Sequence, residues 1–190
     1  MLPRGVKSKV PSPPTFSEMP RSELDREIHQ HIRSDKQVTA ITLFGNLNGE
    51  MYFRTTPPGS FRLLNISVGE AIEPEESINT ELMNRGFTVS RPPKYSGLVC
   101  LLPQRLASDR PDDKSLSAIF SATVSDYNSP PEHTGFEMTA VHPSNINSSI
   151  EYFSKGADQY SQPEVSDAMT NICIGALRSY REHLIGPNNF

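Results

Sequence analysis

The sequence predicts an α+β fold: an antiparallel sheet of about five to six strands, an N-terminal helix, one mid-chain helix and two C-terminal helices. Three observations support this class. Apolar residues recur at helical spacing near both ends of the chain, one central segment alternates strictly between apolar and polar residues, and an Asn-Gly pair separates two β-branched runs. The 190 residues are enough for a domain with its own core.

The four helices are predicted from apolar stripes and from residues that start or stop helices. Ser22, with Asp25 three residues later, is typical of a helix N-terminus. The mid-chain helix has Pro74 in its first turn and Gly86 at its end, and the last helix starts at Ser161. The stripes of the four helices, in chain order, consist of Leu24, Ile28 and Ile32; Ile78 and Leu82; Ile146, Ile150, Phe153, Ala157 and Tyr160; and Val165, Met169, Ile172, Cys173, Ala176, Tyr180 and Leu184.

The strands are predicted from β-branched and aromatic runs between turn residues. The alternation in Ser115–Val124 predicts one face on the core and one face in water. Asn48 and Gly49 predict a tight hairpin. The predicted strands are Val38–Phe44, Met51–Thr55, Phe61–Val68, Gly97–Leu102 and Ser115–Val124, and Phe87–Ser90 and Phe136–Val141 are further candidates.

Two polar stretches between the strands are interpreted as surface loops. The first contains Arg91, Lys94 and Tyr95 between two predicted strands, and the second is Gln104–Lys114. Their basic side chains are able to contact phosphate or lipid headgroups. Because scattered loop charges are usually solvated, we interpret them as solvent-facing.

The domain organisation predicted is a flexible, basic, proline-rich arm over residues 1–20 and a single globular α+β domain over residues 21–190. Five prolines in the arm favour extended backbone over helix or sheet. The formal net charge is −4, and residues 1–17 hold three bases (Arg4, Lys7 and Lys9) and no acid, so the remainder carries −7. An acidic body argues against a protein that coats nucleic acid.

No cofactor, metal or disulfide is predicted. Cys100 and Cys173 lie in apolar runs, where a thiol usually behaves as a small buried apolar group. His29 and His31 are two residues apart and therefore diverge on a helix, which excludes a shared metal. No apolar run approaches about 20 residues and no signal peptide is evident, so an intracellular location is expected.

Sequence motifs for catalysis are missing, and the prediction is that the protein is not an enzyme. The sequence contains no phosphate-binding glycine loop, no nucleophile elbow, no paired-cysteine motif and no zinc-protease motif. A hydrolase with a dispersed site stays open as a third alternative, and it requires His133 or His142 to converge with a serine and an acid.

The N-terminal arm resembles the start of rhabdovirus matrix proteins. In those proteins basic residues precede a proline-rich late-domain segment and an acidic patch, before a compact α+β body. The matching residues here are Arg4, Lys7 and Lys9, then Pro11, Ser12, Pro13, Pro14, Thr15 and Phe16, then Glu18. The stretch Asn48–Phe53, leading through Phe61–Leu64 into a helix, is similar to the opening of that family's globular domain.

The resemblance implies a viral structural protein that self-assembles beneath the envelope and promotes budding. It implies that Arg4, Lys7 and Lys9 bind anionic membrane, and that the late-domain-like segment Pro11–Phe16 binds host WW, SH3 or sorting-machinery proteins. The further partners implied are the viral nucleocapsid and other copies of the chain. The location implied is the virion and the host cytoplasm, peripheral at the membrane.

The alternative function is a non-enzymatic adaptor or viral accessory protein. In this interpretation the proline-rich arm docks in a host SH3 or WW groove, and the protein has no membrane role. Liposome flotation and a peptide pull-down distinguish the two functions.

Overall fold

The computed structural model describes residues 15–47, 50–56, 60–69, 73–103, 114–127, 137–141 and 175–176. Eight strands form one sheet, and two helices are described in full. The elements in chain order are β1 (Ser17–Glu18), α1 (Arg21–Arg33), β2 (Val38–Asn46), β3 (Met51–Thr56), β4 (Ser60–Arg62), β5 (Leu64–Ser67), α2 (Pro74–Asn84), β6 (Phe87–Pro103), β7 (Lys114–Tyr127) and β8 (Glu137–Val141).

The sheet runs in the order β1-β6-β7-β2-β3-β4, while β5 pairs with β2 and β8 pairs with β3. The α+β class is confirmed, but the prediction of an antiparallel sheet is wrong in its centre. β2 and β7 pair in parallel from Val38↔Leu116 to Asn46↔Val124, and the other described pairings are antiparallel. The sheet is therefore mixed.

The hydrophobic core lies between one face of the sheet and the two helices. Leu24 and Ile28 of α1, together with Ile78 and Leu82 of α2, pack on this face. The sheet residues in this core are Val38, Ala40, Phe44, Leu64, Val68, Phe87, Val99, Leu116, Ala118, Phe120 and Val124. We call this the helix face of the sheet.

The opposite face of the sheet is also buried near its centre. Ile41, Leu43 and Ile119 are almost fully inaccessible, and Ser117 is buried beside them. Central strands covered on both faces are a feature of sheets that contain parallel pairs. Gly175 and Ala176 are helical and buried, and the rest of the two predicted C-terminal helices lies outside the described residues.

The boundaries of several predicted elements differ from those observed. The helix α1 starts at Arg21, because Pro20 takes the N-cap position and its carbonyl accepts hydrogen bonds from the amides of Glu23 and Leu24. Ser22 is therefore not the cap. The strand predicted over Phe61–Val68 is divided at the buried residue Leu63 into β4, which pairs with β3, and β5, which pairs with β2.

The two strands predicted on either side of Arg91 form a single strand, β6. Prolines 92 and 93 do not end it, because shifts in its pairing with β7 absorb them. Such bulges accommodate residues that cannot donate to the ladder. No helix in the described part of the chain is long and apolar enough to cross a membrane.

Candidate anion-binding site

The candidate site lies on the second face of the sheet, at the end where β2 finishes. The register places Gly45, Thr123 and Arg91 in one row across β2, β7 and β6. The next row contains Leu43, Ser121 and Lys94. Residues directly opposite one another on neighbouring strands project to the same face. We call Arg91, Lys94, Ser121, Thr123 and Gly45 the anion face.

A bulge in β6 brings the two cations of the anion face together. Arg91 and Lys94 are three residues apart, and in a regular strand they would project to opposite faces. Between them β7 advances only two residues, from Thr123 to Ser121, so β6 contains one extra residue. Both cations therefore face the same side as the hydroxyls of β7.

The cations of the anion face are exposed and carry no opposing charge within the described ranges. Arg91 and Lys94 are both exposed, whereas Ser121 and Thr123 are half-buried. Neither cation forms a salt bridge with a described carboxylate. A planar guanidinium and a mobile ammonium beside two hydroxyls provide the donors that phosphate and carboxylate ligands need.

Contacts between Asn46 and Glu50 hold the end of β2 beside the start of β3. The side-chain amide of Asn46 donates to Glu50 Oε2 over 2.7 Å, and the amide of Glu50 donates to Asn46 Oδ1 over 3.0 Å. The backbone amide of Asn46 also donates to the carbonyl of Glu50 over 2.9 Å. A β carbon at Gly45 would collide with that carbonyl. Position 45 therefore has no room for a side chain larger than that of glycine. The contacts with Asn46 fix the Glu50 carboxylate at the same end of the sheet.

Serine hydroxyls of β6 that donate to backbone carbonyls hold its bulged part against β7. The hydroxyl of Ser90 donates to the carbonyl of Thr123 over 3.1 Å, and the hydroxyl of Ser96 donates to the carbonyl of Ile119 over 2.8 Å. These two bonds lie on either side of Arg91 and Lys94 in the sequence. The bulge is therefore a defined structure and not a loop.

A second cluster of charged residues joins α1 to the start of α2. Arg21 donates from Nε to Asp25 over 2.8 Å and from Nη2 to Glu75 over 3.1 Å, and its Nη1 forms an ion pair with Glu75. Glu73 lies 3.4 Å from Nη2. The guanidinium is shared among these carboxylates, so the cluster links the two helices. Among the described residues, no group of three His, Cys, Asp or Glu is arranged to hold a metal ion.

Most of the residues predicted to bind membrane or partners lie outside the described residues. These are Arg4, Lys7, Lys9, Pro11, Ser12, Pro13 and Pro14. Thr15 is exposed, and Phe16 is 3% exposed and forms part of the core. The structure therefore places the end of the predicted flexible arm, from Phe16 onwards, on the globular body.

The anion face was missed because Arg91 and Lys94 were interpreted as loop cations. Pro92 and Pro93, which lie between them, suggested that the strand ends there, and this interpretation is wrong because β6 is continuous. One sequence signal does point to the site. The polar face of the alternating β7 segment ends in Ser121 and Thr123, the hydroxyls that lie opposite the two cations.

Comparison with known proteins identifies no family for this chain. No family model matches the sequence. No curated protein matches it. Among solved structures, the crystal structure of Tm1382, described as a candidate Nudix hydrolase, is similar with a TM-score of 0.46 and 15% identity, covering 84% of this chain and 88% of the other. A MutT structure, from work on the proteins of Aliivibrio salmonicida and Vibrio cholerae, has a TM-score of 0.40 and 13% identity, covering 60% and 85%.

These structural matches correct the function predicted from the resemblance. Both are described by names of the Nudix hydrolase or MutT type, and neither is a matrix protein. The resemblance to rhabdovirus matrix proteins is wrong, and so are the budding function, the adaptor alternative and the prediction of no enzymatic activity. The partners predicted with them are withdrawn as well: anionic membrane, nucleocapsid, WW or SH3 proteins and other copies of the chain.

The physical reason for the error is the small basis of the resemblance. It depended on about 20 residues of the arm, and its architectural part assumed an antiparallel sheet, whereas the central pair β2 and β7 is parallel. The boundary of the arm at residue 20 and the location in virion and host cytoplasm stay predictions.

Proposed function

We propose that this protein is a hydrolase that acts on a small phosphate-bearing molecule bound at the anion face. The observation that carries the proposal is the placement of Arg91 and Lys94 on one side of the sheet by the β6 bulge, beside two hydroxyls. Bulges commonly re-aim side chains next to functional sites. Two exposed cations held this way, with no described carboxylate paired to them, favour an anionic ligand.

The strength of binding expected from these groups is modest. A hydrogen bond to a charged group contributes about 2 kcal/mol, so one contact from each cation gives about 4 kcal/mol. That free energy corresponds to a dissociation constant of about 1 mM for an inorganic anion. Binding should weaken as salt is added, because both cations are exposed.

The hydrolytic step is assigned to the two cations, which stabilise the charge that develops on the phosphoryl oxygens. The Glu50 carboxylate has no part in this step. Its Oε2 accepts from Asn46, and Asn46 pairs with Val124, a residue of the helix face.

The TM-scores of 0.46 and 0.40 are too low for the names of those structures to assign an activity to this chain. The proposal depends on the register of β2, β6 and β7.

The test is phosphate release from a panel of phosphate esters and diphosphates, with and without Mg²⁺, together with calorimetric binding of inorganic pyrophosphate. Arg91→Ala should raise KM about thirtyfold, because one charged contact of about 2 kcal/mol is lost. Lys94→Ala should raise KM by a similar factor, because it removes the other charged contact.

The matched control is Arg26→Ala, which removes an exposed arginine on α1 that lies 3.9 Å from Glu23. This variant should behave as the parent protein does. Absence of both phosphate release and pyrophosphate binding in the parent protein would contradict the proposal. Equal losses in Arg26→Ala and Arg91→Ala would do the same, since they would show a diffuse charge effect.

A further inference from the structure

A short segment before α1 is docked on the edge of the strand that carries Lys94. Its two-residue strand β1 pairs with β6 through Ser17↔Val99 and Glu18↔Leu98. Phe16, which precedes β1, is 3% exposed and anchors the segment in the core. We call residues 15–19 the N-terminal clasp.

The N-terminal clasp makes two hydrogen bonds to the residues that directly follow Lys94. The hydroxyl of Tyr95 donates to the carbonyl of Met19 over 2.9 Å. The amide of Met19 donates to the carbonyl of Gly97 over 2.8 Å. Both bonds converge on Met19, so one residue of the clasp holds both ends of the segment from Tyr95 to Gly97.

The backbone held by the clasp is irregular. Gly97 has a φ of +88°, and the pairing of β6 with β7 shifts between Tyr95 and Val99. Within this stretch Ser96 is fixed to β7 through the carbonyl of Ile119, while Tyr95 and Gly97 are held by the clasp. Residues 95–97 are therefore held by one hydrogen bond to β7 and by two hydrogen bonds to the N-terminal clasp.

Lys94 and Tyr95 are adjacent and project to opposite faces of the sheet. Tyr95 lies on the helix face, where its ring contacts Phe120 with centroids 5.5 Å apart. Lys94 pairs with Ser121 and lies on the anion face. A displacement of the Tyr95 backbone must therefore change the position and direction of Lys94.

We infer that the N-terminal clasp, acting through Tyr95, positions Lys94 for the anionic substrate, so that docking of the clasp sets substrate affinity. This inference rests on the proposed function of the anion face. Tyr95 is a positioning residue in this arrangement, because it does not touch the ligand. The clasp becomes a means of regulation: any agent that lifts residues 15–19 from β6 weakens binding without touching the site.

The test uses Tyr95→Phe in the full-length chain. This variant keeps the ring packed on Phe120 and removes only the hydroxyl that donates to Met19. KM should rise about fivefold with kcat unchanged, the effect expected from loss of one hydrogen bond. In the Lys94→Ala background the same change should have no further effect on KM. Tyr52→Phe, the same chemical change on β3, is the matched control and should leave KM unchanged.

Hydrogen exchange without ligand tests the clasp independently of any activity. The amide of Met19 donates to Gly97 in the docked state, so its exchange reports docking directly. Tyr95→Phe and Phe16→Ala should each accelerate it at least about fivefold, while amides in the centre of β2 keep their protection. If the parent protein neither binds nor hydrolyses phosphate compounds but these variants accelerate exchange, the proposed function fails and the docking survives.

Two results overturn the inference itself. The first is unchanged exchange at Met19 in Tyr95→Phe, which would show that the hydroxyl does not hold the clasp. The second is faster exchange at Met19 with KM unchanged in an active protein, which would show that Lys94 does not depend on the clasp.

Discussion

The hydroxyl of Tyr95 donates a hydrogen bond to the carbonyl of Met19 across 2.9 Å, although the two residues are 76 positions apart in the chain. The bond joins a bulged strand to the segment that leads into α1. It exists only while Tyr95 is protonated, because a phenolate has no proton to donate. Burial raises the pKa of Tyr95 to about 12, so the donor persists well above neutral pH.

The pH dependence of stability follows from that raised pKa. An unfolded tyrosine ionises near pH 10, and the folded one near pH 12. The contribution of protonated Tyr95 to the free energy of unfolding is fully present below pH 10 and is lost as the pH rises through 12. The reason is that the Tyr95 hydroxyl loses its proton at a lower pH in the unfolded chain than in the folded one. After allowance for the exposed part of the ring, the loss should be about 1 kcal/mol. Urea unfolding between pH 9 and about 11.5 should show a smaller decline in Tyr95→Phe than in the parent protein.

Arg21→Ala should destabilise the fold by about 1 kcal/mol, because Asp25, Glu73 and Glu75 lose their shared cation. The remaining carboxylates then repel one another between α1 and α2. Urea unfolding measures the change, and Arg26→Ala should alter stability by less than about 0.5 kcal/mol. The cost of Arg21→Ala should shrink in about 1 M NaCl, since its side chain is 37% exposed. A cost independent of salt would contradict an electrostatic link.

Gly45→Ala should destabilise the protein by about 2 kcal/mol. The added methyl group collides with the Glu50 carbonyl, which the backbone of Asn46 holds in place. Gly69→Ala is the control, because a β carbon there meets no atom within 4 Å. Thermal unfolding should therefore distinguish the two variants. Equal melting temperatures would show that the turn relaxes without cost.

Thr42→Val should stabilise the protein by about 1 kcal/mol. The Thr42 side chain is fully buried in β2, and among the described residues its Oγ1 has no hydrogen-bond partner. Replacing an unpaired buried hydroxyl with a methyl group of similar shape removes a desolvation penalty. Thr39→Val, on the same strand but half-buried, should change stability less. A destabilised Thr42→Val variant would show that the hydroxyl is satisfied in solution.

The class of the fold could be predicted because its helices and strands carry local signals. The stripe containing Leu24 and Ile28 packs on the sheet as expected, and Pro74 starts α2. The alternation in β7 predicted a strand correctly, but its polar face is not wet throughout: Ser117 and Ile119 are buried. What covers a strand is decided by distant parts of the chain, and one strand's own pattern does not specify it.

The direction of the central pair and the position of the site could not be predicted from single segments. β2 contains the run Val38–Phe44, in which nearly every residue is buried, and such a run is typical of strands with both faces covered. The register of β6 is a property of a pair of strands, so nothing in the sequence around Pro92 and Pro93 states that Arg91 and Lys94 share a face. The arm was interpreted from its composition, which says nothing about the depth at which Phe16 lies.

The parallel pairing of β2 with β7 also orders events during synthesis on the ribosome. The first of its partners, Val38↔Leu116, lie 78 positions apart, so the centre of the sheet stays open until the second strand has left the exit tunnel. Because a long segment of chain must close before these two strands pair, the pair forms more slowly than a hairpin does. Until then the nascent chain exposes Ile41 and Leu43, which are buried in the folded protein. During this time chaperones have the largest apolar surface to bind.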